Sequence, residues 1–547
     1  MSSLFAKYRW LPLTLIFLLA IGLRLINLGG RALWYDEAFA VLFAEKGLSA
    51  MIYGTLTPVA GGAADIHPLL YYSALNVWMH FFGESAFTVR LLSVIFGVAT
   101  VALIYLFAKT LFDERTGLAA ALITAIAPFH VQYSQETRMY ALLGLLLMAA
   151  TWCFIKAWRQ ESKSSPPDPL SISWQRGEQA QNRFVIKIWK KWSYWLGFGV
   201  FAGLAMYTQQ LAAFYLVAIG LVPFVTRRKS QIVGVIVGAL TAIMVYLPWL
   251  VNLPGQLQKV QSYYWLDKPT IATPLLTVRS FLSVNLDFPS PVSMIAFFGG
   301  LFVILILAVQ VLMFIRQPRN RTQRKSILFV LWLAVMPPLL MWVVSQIQPV
   351  YLERSLLPSA LMLYVALAWL FTRSGMPKAI VGVIGAISLV MVGIGLYYQY
   401  TIATFPNSPF ETAGSYIAQN WQEGDVIVHQ NKLTALPGIY YQRDLPQYFI
   451  GDKAGSSDDT LALPTQKALN IFADACVQSA AHQGKRIWWV VFAKAEAQYQ
   501  AAKRPEFEQA VTWLNGHYTE TSTQQFNDLK VVLYSDPHSD LGGACQP

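Results

Sequence analysis

Charge is scarce in this chain. Asp, Glu, Lys and Arg make up 13% of its 547 residues, against about 25% in an ordinary soluble domain. The deficit is spread over many long apolar runs, which excludes a simple water-soluble globule and implies a multi-span membrane protein. Cysteine is also rare, with three residues. Cys153 lies in an apolar run and reads as inert packing, whereas Cys476 and Cys545 lie in a polar tail. That pair is able to bridge if the tail faces an oxidising compartment and the geometry permits. Walker A, GxGxxG, HExxH, CxxC and GxSxG sequences are all missing. ATP-driven transport and soluble-nucleotide chemistry are therefore unsupported.

Basic residues outnumber acidic ones, giving a net charge of +12. They gather in short loops between apolar runs, so the positive-inside rule explains them better than nucleic-acid binding does. The chain begins basic and then turns apolar (LPLTLIFLLAIGL), like a signal peptide. No small-residue cleavage site follows, and Arg24 and Asn27 interrupt the end of the run, so it reads as a retained first span. Spans of about 20 residues are expected near 10–28, 86–110, 116–130, 139–158, 193–208, 210–226, 231–251, 292–315, 327–345, 355–372 and 379–398. The short aromatic stretch 68–82 fits an interfacial helix better. Lys7, Arg9, Lys109, Arg115, the basic segment 156–192 and RQPRNRTQRK at 316–325 then share one side. This places the N-terminus in the cytoplasm and the tail beyond the last span outside it.

The segment 159–184 is polar and Pro/Ser-rich and reads as a flexible cytoplasmic loop. From about residue 400 the pattern changes. VIVHQ (426–430), RIWWVVFA (486–493) and LKVVLYS (529–535) look like buried strands. Residues 408–421 and 504–516 have helical spacing, with Ser408 as an N-cap and Glu411 in a capping box. We expect a membrane domain over 1–400 and a soluble α/β domain over 401–547.

Three stretches on the predicted outer face carry polar residues that burial in lipid does not explain. The first, LWYDEAFAV, places Tyr35, Asp36 and Glu37 at the start of a surface helix, with Asp65 and His67 further on. The second, HVQYSQETRMY, carries Glu136, Arg138 and Tyr140; the third, IQPVYLERSLLP, carries Glu353 and Arg354. Each has a plainer reading: first-turn acids favoured by the helix dipole, an interfacial Tyr/Arg belt, an exposed ion pair. Together they supply a carboxylate pair and two arginines at headgroup level. A carboxylate serves as general base, and arginine grips phosphate through a planar fork. Chemistry on a phosphorylated lipid follows. Asp36, Glu37, Asp65 and His67 also form a conceivable Mn²⁺ or Mg²⁺ set, although such loop residues are more often solvated.

The motifs RLINLGGRALWYDEAFA, DIHPLLYYSALNVWMHFFGESAFTVRLLSVIFG and YSQETRMYALL resemble those of GT-C fold membrane glycosyltransferases. The similarity is to family 39, which holds protein O-mannosyltransferases and aminoarabinose transferases. It runs through about residue 210 in order and spacing, and beyond that in hydropathy only. One departure is His67-Pro68-Leu69, where the family usually has His-Pro-Pro. The resemblance implies a polytopic α-helical protein of about eleven spans with juxtamembrane helices at 36–50 and 68–82. It also implies a polyprenyl-phosphate-linked sugar as donor and a lipid, glycan or protein as acceptor. Asp36 is then the catalytic base or an acceptor-orienting acid, with Glu37 supporting acceptor binding or the loop fold. Arg138 and, on loop position alone, Arg354 hold the lipid phosphate. Tyr35, His67, Glu136 and Tyr140 line the site. In-line attack by the acceptor on the anomeric carbon inverts it, and fixed arginines make a metal cofactor unnecessary in principle. The competing reading is a flippase of lipid-linked glycans, which wants ionisable groups near the bilayer midplane; the notable acids here lie in loops.

Overall fold

The computed structural model describes residues 10–59, 62–161, 192–262, 265–284, 290–317, 321–452, 460–494, 505–538 and 545. Most of the loop expected at 159–184 lies outside the described residues. Each of the eleven apolar runs forms helix, as lipid demands when backbone groups have no water to bond. Seven of these helices are long and apolar enough to cross a membrane, from Ala86–Leu111 to Lys378–Thr401. The others, Leu11–Leu25, Glu114–Ile126, 192–208 and Ala212–Val225, are shorter.

The span expected at 116–130 is not continuous. It stops at Ile126 and restarts as the short helix Pro128–Ser134. Pro128 has no N–H to donate and pushes Ala127 to an extended ψ of 117°. The carbonyls this frees are met by Arg24, whose guanidinium donates to Ala125 O at 3.0 Å and contacts His130 Nδ1 at 2.7 Å. Arg24 is thus fully buried with a structural partner set.

The expected surface helix 36–50 is two helices, Tyr35–Ala44 and Gly47–Leu56. Gly47 sits at φ +80°, a conformation open to glycine, and turns the chain between them. The second interfacial helix, Leu70–Phe82, lies where expected.

The tail contains a six-stranded sheet. Its strands are β3 (Asp425–His429), β4 (Gln447–Ile450), β5 (Ala473–Asp474), β6 (Arg486–Phe492), β7 (Thr519–Phe526) and β8 (Leu529–Ser535), after a small hairpin of β1 (Pro58–Val59) and β2 (Gly62–Ala63). The order is β5-β4-β3-β6-β8-β7. The first four strands are parallel, and β8 and β7 are antiparallel. Central β3 is buried at every position, as a parallel strand covered on both faces must be. Cys476 and Cys545 form a disulfide with Cα atoms 5.7 Å apart. Ser408 does not cap the helix Phe410–Gln419 as expected: the N-cap is Pro409, and the Ser408 hydroxyl donates to Asp528 Oδ2 at 2.9 Å.

This sheet region rests on the surface helices. Its helix Lys432–Tyr441 packs on Tyr35–Ala44, and Leu463–Leu469 packs on Gly47–Leu56. Arg443 donates to Glu45 at 2.8 Å, and the Tyr440 hydroxyl donates to the Glu84 carbonyl at 2.6 Å. Phe492, closing β6, meets Phe405, which meets Trp34. The carboxyl edge of the parallel strands therefore abuts the turn leading into Asp36.

Candidate active site

Asp36 starts the helix Tyr35–Ala44, and two guanidinium groups from distant chain segments converge on one of its oxygens. Arg354 Nη1 donates to Oδ2 at 2.9 Å, and Arg138 Nε lies 3.6 Å from the same atom. The other oxygen, Oδ1, has no hydrogen-bond partner among the described residues. Arg138 is also fixed by Tyr72, whose hydroxyl accepts from Nη1 at 3.0 Å. Arg354 lies over the rings of Tyr140 at 5.2 Å and Trp34 at 5.7 Å, contacts suited to a weakly hydrated planar cation. Arg138 Nε, Arg354 Nε, the Tyr140 hydroxyl and Trp34 Nε1 are all buried without hydrogen-bond partners among the described residues. Unsatisfied buried donors are costly, and here several surround one spot, a pattern suited to an anionic ligand. Burial alone would raise the Asp36 carboxyl; Arg138, Arg354 and His67 outweigh it and hold the group below the usual carboxylate range.

Glu37 points elsewhere. Arg90 donates to its two oxygens at 2.8 and 2.6 Å, and the Thr137 N–H donates to Oε1 at 2.8 Å. The remaining Arg90 donors hold the carbonyls of Leu28, Arg31 and Ala32. One ion pair thus ties the turn before Asp36 to the segment bearing Arg138. His67 contacts Asp65 through Nδ1 at 2.7 Å. Burial would raise Asp65, but His67 and the backbone N–H groups of Ile66 and His67 keep it low.

Glu136 is buried, with Oε2 unpartnered. It lines a cavity of about 10 Å³ with Arg31, Trp34 and Gln132, room for about one water. Burial, then the nearby Glu37 carboxylate, push Glu136 up to about 8. Tyr35 turns toward the sheet region, near Thr460 and Asp452. The conceivable metal set does not assemble: among the described residues no three His, Cys, Asp or Glu side chains gather at metal-binding distances, because Asp36 and Glu37 face different arginines.

Asp36, Arg138, Tyr140 and Arg354 therefore come together, while Glu37, Tyr35 and His67 each face a different neighbour. Sequence reasoning did not single out Tyr72, Trp34 or Arg90 for this site. Tyr72 lay within the quoted IHPLLYY motif and Trp34 beside Asp36, but neither adjacency reveals a partner. Arg90 lies on the helix Ala86–Leu111, 53 positions along the chain from Glu37, with no local signal of that partner.

Residues 66–165 match the family described as dolichyl-phosphate-mannose-protein mannosyltransferase, a segment and not the whole of the chain. No curated protein matches in sequence. Among solved structures, ArnT from Cupriavidus metallidurans bound to undecaprenyl phosphate is similar, with a TM-score of 0.56 at 14% identity, covering 97% of this chain and 99% of that one. AglB from Archaeoglobus fulgidus, in complex with an inhibitory peptide and a dolichol-phosphate, gives a TM-score of 0.54 at 14% identity, covering 96% and 74%. The chain has the GT-C fold and is an integral membrane protein.

Proposed function

We propose that this protein is an inverting glycosyltransferase that moves a sugar from a polyprenyl-phosphate donor to an acceptor at the extracytoplasmic face of a bacterial inner membrane. The observation that carries this reading is the division of labour on Asp36: Oδ2 is bonded by Arg354 and approached by Arg138, while Oδ1 has no hydrogen-bond partner among the described residues. An open oxygen suits a general base, and paired arginines suit a phosphate leaving group. The lipid phosphates named for ArnT and AglB support the donor class.

The acceptor oxygen (or nitrogen) attacks the anomeric carbon from the face opposite the phosphate, and its proton goes to Asp36. The C1–O bond to phosphate breaks, and Arg138 and Arg354 stabilise the developing charge. Glu37 acts through Arg90 as a positioning residue. Tyr35 and His67 border the acceptor side, and Glu136 lies beside Arg354 on the donor side. The disulfide at Cys476 supports placing the tail in an oxidising compartment, with the N-terminus cytoplasmic and 401–547 folding as the outer domain. Fixed arginines make divalent metal dispensable in this scheme. A flippase is less well supported, because buried Arg24 and Arg90 are held by backbone carbonyls and Glu37 and lay out no charged path.

The test is transfer from a short-chain polyprenyl-phosphate sugar in detergent or nanodiscs, with mass spectrometry of protein-containing and protein-free membranes to identify the acceptor. Asp36→Asn is expected to fold and bind donor but not transfer. Full activity in Asp36→Asn would remove the assigned base.

A further inference from the structure

Asp36 engages the two guanidinium groups that the leaving phosphate of the proposed reaction must also use. Both guanidinium groups address its Oδ2; Arg31, set back in the cavity with Glu136, donates instead to the Gln399 carbonyl and the Gln135 side chain. Glu37 is paired with Arg90, and Asp65 accepts from two backbone N–H groups and contacts His67 Nδ1. Tyr72, on the surface helix, and Tyr140 add hydroxyls, and Glu136 stays largely protonated near neutrality because burial raises it. At this contact two guanidinium groups share one carboxylate, an excess of one positive charge at Asp36.

A lipid-phosphate sugar is a diester with a single negative charge, which matches that excess. When transfer occurs, the C1–O bond breaks with its electron pair on the phosphate and the acceptor oxygen bonds to C1. The product is a monoester, whose second ionisation lies near 6, so it departs with two negative charges.

Resting on the transferase reading, we infer that Asp36 and the lipid phosphate compete for the same two arginines, and that the acceptor's proton, on reaching Asp36, releases both guanidinium groups to the product dianion. The pocket then stays charge-balanced from substrate to product. Binding of the bare lipid monophosphate must follow the same rule: it takes up about one proton at Asp36. Product release conversely requires Asp36 to lose its proton, so the lipid phosphate inhibits more strongly as pH falls toward 6.

The experiment is titration calorimetry of a polyprenyl monophosphate into full-length protein in nanodiscs at pH 7.5. Two buffers of different ionisation enthalpy report the protons taken up. Wild-type protein is expected to take up close to one proton per lipid. Asp36→Asn is expected to take up far less and to bind on the order of tenfold more tightly, since its competing charge is gone. Equal or weaker binding by Asp36→Asn overturns the inference even if that variant is inactive, leaving the base assignment standing. Uptake that survives Asp36→Asn but disappears in Glu136→Gln also overturns it, by moving the proton to Glu136. Wild-type protein that binds no polyprenyl phosphate sinks the donor reading itself.

Discussion

Arg90 closes on both carboxylate oxygens of Glu37, at 2.8 and 2.6 Å, with each side chain only 1% exposed. A buried pair of this kind adds little net stability when intact, but losing one partner strands the other charge at about 3–5 kcal/mol. Glu37→Gln is therefore expected to lower the melting temperature sharply. Because Arg90 and Glu37 join the turn at 28–32 to Thr137, transfer should fall even below the new melting point. Thermal melts paired with activity at low temperature check this; an unchanged melt would show that the pair does not hold the loop.

Arg354 reaches Asp36 while lying over Tyr140 and Trp34, a geometry that a planar guanidinium permits and an ammonium does not reproduce. Arg354→Lys is expected to keep the charge but raise the donor KM and lower kcat, by about tenfold or more in kcat/KM. Arg138→Ala should weaken donor use more than it harms expression. Steady-state kinetics with varied donor measure both, and donor affinities equal to wild type would argue against the phosphate role.

The pH dependence follows from two carboxyls shifted in opposite directions. Asp36 is held below its ordinary range by its arginines, so in the free enzyme it is ionised down to low pH, and the acid limb of kcat/KM should fall below the usual carboxylate range. Glu136 is raised to about 8. Below that value it is neutral; as pH rises through 8 it becomes an anion beside Arg354 and opposes phosphate binding. Activity should decline above about pH 8, and Glu136→Gln should remove that decline. A profile identical in the variant would separate Glu136 from the donor site.

Because arginines supply the positive charge in the proposed reaction, chelation is expected to leave transfer intact. Treating purified protein with EDTA and assaying without added metal checks this; loss of activity restored by Mn²⁺ or Mg²⁺ would require a metal in the mechanism.

Replacing Tyr72 by Phe removes the hydroxyl that accepts from Arg138 at 3.0 Å while keeping the ring. The expected result is a higher donor KM with little change in melting temperature. A KM equal to wild type would leave Arg138 oriented by Asp36 alone.

Much of the molecule could be read along the chain. Apolar run length located the helices, because lipid leaves a backbone segment few ways to satisfy itself. Continuous apolar stretches such as VIVHQ and RIWWVVFA marked the parallel strands, and the YDE and ETRMY segments marked the site. Local rules erred where a distant partner prevailed. Ser408 bonds Asp528 in place of its own helix, and the break that Pro128 makes in the run through 127–128 is stabilised by Arg24, a hundred residues away, which donates to the freed Ala125 carbonyl.

The sequence by itself determined which residue types were available: acids at 36 and 37, arginines at 138 and 354, and a polar tail after the last apolar run. Tertiary structure alone decided between the two neighbouring acids. Successive helical side chains diverge by about 100°, so one carboxylate met Arg90 in the interior and the other met Arg138 and Arg354 at the site. Such pairings depend on contacts across 53 to 318 positions of chain, a separation over which local pattern carries no information.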